Sequence, residues 1–123
     1  MIVLAPISVG ELIDKITILD IKKALIDDES KRVNVYRESS ELNSILESLD
    51  VPDLTSYREH LYTVNKELWH LENYKRAMEV DQNFGDDFIN AARQVYIKND
   101  LRAKIKRDIN TLVGSTIIEE KSY

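Results

Sequence analysis

Cysteine is absent from the 123 residues. That excludes disulfide scaffolds, thiolate zinc sites, iron–sulfur clusters and thiol catalysis. Glycine and proline are scarce, at 3 and 2, and a sandwich or barrel of short strands needs many more turn residues than that. No apolar run approaches the ~20 residues of a membrane span. The apolar start, Met1 to Pro6, lacks a basic flank and is too short for a secretory leader, so the expectation is a cytoplasmic chain with no membrane contact. Acidic groups outnumber basic ones, 22 to 17, which opposes binding to nucleic acid or an anionic lipid surface.

What the chain does have is helical periodicity. At 43% hydrophobic and 32% charged residues it reads as one globular domain over 1–123, large enough to bury a core unaided. Residues 2–7 carry β-formers interrupted by Pro6 and read as a short strand or extended arm. Ser8-Val9-Gly10-Glu11 fits a capping box, in which Ser8 accepts from the Glu11 N–H and the Glu11 carboxylate reaches back to Ser8. A first helix then runs from Val9 to about Ile26 on the stripe Val9, Leu12, Ile13, Ile16, Leu19, with Asp27 to Ser30 as a turn. A second spans about Lys31–Leu49, with Val35, Leu42 and Leu49 at heptad spacing. Asp53 caps a third, about Leu54–Val80, with Leu61, Val64, Leu68, Leu71 and Met78 inward. Asn83 to Asp86 introduces a fourth, about Asp87–Val113, with Phe88, Ala92, Val95, Ile105, Ile109 and Leu112 on one face and Gly114 as its stop. In the tail, Ser115 to Tyr123, Ile117 and Ile118 are expected to pack on the body beside the arm. Four long amphipathic helices joined by short turns predict an all-α, antiparallel up-down bundle with a short N-terminal arm and a C-terminal tail.

Two segments carry a resemblance. One is Pro6-Ile7-Ser8-Val9-Gly10-Glu11-Leu12-Ile13-Asp14-Lys15-Ile16-Thr17-Ile18-Leu19-Asp20-Ile21-Lys22. The other is Ala92-Arg93-Gln94-Val95-Tyr96, continued by Asn99-Asp100-Leu101-Arg102-Ala103-Lys104-Ile105-Lys106, Ile109-Asn110 and a terminal Glu119-Glu120-Lys121-Ser122-Tyr123. With Asn65, Leu68 and Trp69, they resemble a family of small helical proteins of unknown function from bacteria, marine lineages included, and phages. Asp20 stands where the family pattern has Glu. The resemblance implies no activity, cofactor or substrate.

The residues themselves offer a site through polarity on apolar stripes. Stepping by four from Ile16 lands on Asp20. Asn65 lies between Leu61 and Leu68, and Glu72 follows Leu68. Asn99 and Arg102 interrupt the run from Val95 to Ile105. Unpaired charges inside a bundle are costly, so Asp20, Asn65, Glu72, Asn99 and Arg102 are expected to satisfy one another. Two readings stay open: a sealed ion-pair network, or an open level that binds a small polar ligand, with Arg102 and Arg93 holding an anion.

The first functional reading is a binding or protein-interaction module that associates with itself or with a protein partner through residues 1–7 and 115–123. The alternative is a metal-assisted phosphohydrolase, or a nucleotide- or sugar-phosphate-binding protein, in which Asp20 and Glu72 hold the ion and Arg93 and Arg102 the phosphate. Other signals are weaker. Glu67-Leu68-Trp69-His70 is the Glu-x-x-His unit of di-iron bundles, yet it occurs once. Glu38 and Glu41 have Glu-x-x-Glu spacing on a solvent face. The six basic residues between Arg93 and Arg107, with Tyr96 among them, suit a solvated helix face better than a nucleic-acid platform. No resident metal or cofactor is expected.

Overall fold

The computed structural model describes all residues from Met1 to Tyr123. It contains four helices and no strand: α1 (Val9–Leu25), α2 (Glu29–Glu47), α3 (Thr55–Val80) and α4 (Asp86–Val113). The all-helical bundle expected from periodicity is present. Residues 2–7 take the extended-arm form and pair with nothing as a strand.

Local chemistry sets the helix ends. The Ser8 hydroxyl accepts from the Glu11 N–H at 3.1 Å, which is half of the expected capping box. The other half is missing because Lys106 captures the Glu11 carboxylate at 2.6 Å. Asp28 caps α2 by accepting from the Lys31 N–H at 3.1 Å, so the expected turn at 27–30 already contains the start of a helix. Asp53, the expected cap of α3, stands one residue too early: Leu54 takes the N-cap position without a side-chain bond, and Asp53 Oδ1 accepts from the Thr55 N–H at 3.0 Å. Gly114 ends α4 in the left-handed region, at φ 68°. The corresponding position after α3 belongs to Gln82, at φ 53°, where the Asn83 N–H closes back on the Met78 carbonyl. Gly85 has an ordinary negative φ and precedes α4.

α3 and α4 form a long antiparallel hairpin, tied midway by Lys98 to Glu67 at 2.6 Å. α1 lies between this hairpin and α2. It packs on all three other helices, whereas α2 makes a close backbone approach to α1 alone. That position explains its composition. Leu12, Ile13, Ile16, Thr17, Leu19 and Ile21 are all buried and point to more than one side, as required of a helix covered on several sides, with Lys15 left in solvent. The polar α2 buries only Val35 and Ser39.

The core joins Ile13 of α1, Leu54 just before α3, Leu61, Val64 and Leu68 of α3, and Ile105 and Ile109 of α4. Two expected inward residues of α4 differ. Ala91 is buried rather than Ala92, and Leu112 is 50% exposed. The helix turns slowly relative to a fixed stripe over its 28 residues, so a face extrapolated from Phe88 drifts off the core by the far end.

Gly10 brings α1 against α4. A Cβ there would sit 2.5 Å from the Lys106 carbonyl oxygen, so only glycine allows the approach. The Gly10 N–H, an orphan donor of the first turn, donates to Asn110 Oδ1 at 2.7 Å.

Candidate functional site

Where α1, α3 and α4 meet, the interior is polar. Asp14 is completely buried. Its Oδ1 accepts from Arg102 Nε at 2.8 Å and from Asn65 Nδ2 at 2.9 Å, and its Oδ2 accepts from Arg102 Nη2 at 2.5 Å. Asn65 Nδ2 also donates to Thr17 Oγ1 at 2.9 Å, and the Thr17 hydroxyl in turn donates to the Asp14 carbonyl at 2.7 Å. Burial pushes the Asp14 carboxyl up, but hydrogen bonds from Arg102 and Asn65 and the charges of Arg102 and Lys106 outweigh it, leaving the group below its ordinary range. Arg102 is held charged chiefly by its bond to Asp14, against the pull of burial.

The network fixes Asn65 in one orientation. A carboxylate only accepts, so the amide nitrogen must face Asp14, and both of its hydrogens are used on Asp14 and Thr17. Oδ1 therefore points away from them and accepts from no protein donor. No buried side-chain nitrogen or oxygen in the chain lacks a partner, so this oxygen reaches solvent, although Asn65 is only 5% exposed. Arg102 is likewise half used. The N–H groups not turned to Asp14 have no protein acceptor, and the side chain is 29% exposed.

Both residues line a cleft of about 390 Å³ bounded by Ile18 and Ile21 of α1, Leu68, Trp69, Glu72 and Asn73 of α3, and Asn99 of α4. On its other side Arg102 borders a smaller cleft of about 240 Å³ with Glu11, Asn99, Lys106, Glu119 and Lys121. There Lys106 lies between Glu11 at 2.6 Å and Glu119 at 2.8 Å. Burial lowers the affinity of Lys106 for its proton, but the two carboxylates raise it further, so the ammonium is held above its usual range. Glu119 is lowered in return, first by its bond from Lys106.

Asn65, Glu72, Asn99 and Arg102 line one open cleft, but they do not satisfy one another as expected: Asn65 and Arg102 are held by Asp14, Glu72 by Lys75, and Asn99 by no side-chain bond. Asp20 and Arg93 lie outside it. Asp20 pairs with Arg58 at 3.1 Å and lines a different cleft with Thr55, Glu59 and Tyr62. Arg93 is exposed, about two and a half turns from Arg102 towards the loop between α3 and α4. Asp20 and Glu72 therefore do not converge, and no group of three or more His, Cys, Asp or Glu side chains is placed to hold a metal ion. Sequence reasoning missed Asp14 and Thr17. Their signal was a second row at helical spacing, Gly10, Asp14, Thr17 and Ile21, which is buried beside the expected apolar stripe while Lys15 stays exposed.

The tail is tied to α4, through Glu119 to Lys106 and Glu120 to Arg107. Ile117 and Ile118 stay largely exposed there, and the arm lies elsewhere, along the end of α2.

Fold and cleft define a small all-helical protein with a buried Asp–Arg–Asn network opening onto a cleft of mixed polar and apolar walls. Residues 3–123 match a family of unknown function (DUF6165), and the chain belongs to that family. No curated protein and no solved structure matches the chain.

Proposed function

We propose that this protein is a binding module whose cleft between α1, α3 and α4 takes a small polar molecule. The observation that carries the reading is Arg102, pre-oriented by a wholly buried carboxylate yet presenting unused N–H groups to open space. An arginine needed only as structural glue has no reason to face a cleft alongside the open Asn65 oxygen and Asn99, which makes no side-chain hydrogen bond within the protein. A site held rigid by its own network binds without the cost of ordering side chains. A thermal-shift panel of sugars, nucleotides, sugar phosphates and amino acids tests it. A ligand at 100 times its dissociation constant adds about 2.7 kcal/mol, which raises the melting point by several degrees. Asn99→Leu, which disturbs no internal bond, should remove the shift. A flat panel would return the cluster to a purely structural role.

A second surface favours self-association. The arm residues Ile2, Val3 and Leu4, Ile45 of α2 and Leu49 just beyond its end are exposed and line an apolar groove of about 510 Å³. A second copy of the chain would bury them. Light scattering over a range of concentrations tests it, and a mass that stays monomeric at every concentration contradicts it.

A further inference from the structure

We infer that the ligand of the α1–α3–α4 cleft is a neutral sugar ring rather than an anion; this rests on the binding reading above. The charges of the cleft are already balanced. Arg102 is matched by Asp14, and Glu72 at the rim faces Lys75 at 3.7 Å. A phosphate or carboxylate would find no net positive charge, and would meet the Glu72 carboxylate and the Asn65 Oδ1 acceptor. Acceptor-only groups cannot use that oxygen.

Hydroxyl groups can. Each donates one hydrogen and accepts others, so neighbouring hydroxyls on a ring match a wall that alternates acceptors and donors. Asn65 Oδ1 and Glu72 accept, Arg102 donates, and the amides of Asn73 and Asn99 do both. The flat side of a pyranose, with its C–H groups, needs an apolar face, which Trp69 supplies. A volume of about 390 Å³ lies at the small end of ligand sites, suited to a single ring rather than to a nucleotide. Asn65 is the strongest element: the residue is only 5% exposed, its amide hydrogens are committed to Asp14 and Thr17, and its oxygen, the part that reaches solvent, is left as an acceptor for a ligand donor.

Trp69 is the only tryptophan in the chain, so its fluorescence reports on this cleft. The test is a titration of the full chain with D-glucose, D-mannose, D-galactose and N-acetyl-D-glucosamine, and in parallel with inorganic phosphate, glucose 6-phosphate, glycine and leucine. Saturable change with one or more neutral sugars, at least tenfold weaker in Glu72→Gln or Asn73→Ala, is the expected result. Both variants lie at the rim and outside the Asp14 network, so they keep the fold. Saturation by phosphate or amino acids, with none by neutral sugars, overturns the sugar assignment and leaves the binding reading standing. No response to any compound, with amide chemical shifts around Asn65 and Asn99 equally unmoved, overturns both.

Discussion

Arg102 clasps Asp14 side-on, through Nε to one carboxylate oxygen and Nη2 to the other, at 2.8 and 2.5 Å. The acid is sealed from solvent while the base is not. The pair therefore joins α1 to α4 in the interior and offers the outer edge of the guanidinium to the cleft. A bidentate, charge-assisted contact of this kind is strong and directional.

Removing one partner leaves the other stranded. Arg102→Ala should lower unfolding free energy by about 3 kcal/mol or more, because a buried carboxylate loses its counter-ion. Arg58→Ala removes the superficially similar pair with Asp20, which is partly exposed on both sides, and should cost less than about 1 kcal/mol. Urea denaturation of the two variants gives both numbers. Equal losses would contradict the distinction.

Acid should act through Asp14. Its carboxyl lies below the ordinary range in the folded protein, so its contribution to stability is present above the unfolded value of about 3.9. That contribution is lost as pH falls through the lower folded value. The stability gap between wild type and Asp14→Asn should therefore narrow below about pH 4. Lys106 works in the opposite direction, since its folded value is raised. Its contribution is present below the unfolded value of about 10.4, and is lost as pH rises through the folded one. Denaturation curves at a series of pH values check both, and a gap that widens in acid would reverse the assigned sign.

Glycine is required at Gly10 and not at Gly85. Gly10→Ala places a methyl 2.5 Å from the Lys106 carbonyl and 2.9 Å from Asn110 Oδ1, which forces α1 and α4 apart at a cost of about 1–3 kcal/mol. At Gly85 the nearest atom to an added Cβ, Asn83 Oδ1, is 3.5 Å away, an ordinary contact, so Gly85→Ala should cost only the preference of an N-cap for glycine over alanine, about 0.5 kcal/mol. Thermal melts of the two variants separate these outcomes.

Gln82→Gly should stabilise the hairpin. Gln82 holds a left-handed conformation that suits glycine. Relief of that strain outweighs the extra freedom of the unfolded chain by about 0.5 kcal/mol. A melting point that falls instead would show that the Gln82 side chain contributes more than its backbone strain costs.

The sequence announced α3 and α4 more faithfully than α1. Each of those two helices has one face on the core and one in water, so Asn65 and Arg102 are visible as interruptions of a single apolar stripe. α1 buries its expected stripe and, because it is covered on several sides, a second row with Gly10, Asp14, Thr17 and Ile21 as well. Extending a single row from Ile16 therefore arrives at Asp20, which is partly exposed, and passes over Asp14, which is wholly inside. Arg93 was grouped with Arg102 by charge alone, and charge carries no information about which end of a long hairpin α1 reaches. The helix caps at Ser8 and Gly114 depend on neighbours in the chain and were readable, whereas the cap at Asp28 was hidden in a run of turn-forming residues. The capture of Glu11 by Lys106 depends on two elements far apart in sequence and was not.

The most direct test of the central claim is the nitrogen-15 NMR spectrum of the Arg102 Nε–H and the Asn65 and Asn99 side-chain amides, recorded without and with the sugars that perturb Trp69. The structure predicts a slowly exchanging Arg102 Nε–H before any ligand is added, because Asp14 already holds it. It also predicts that the Arg102, Asn65 and Asn99 signals shift together on saturation. A freely exchanging Arg102 Nε–H, or signals that stay fixed while Trp69 responds, would contradict the assignment of this cleft as the binding site.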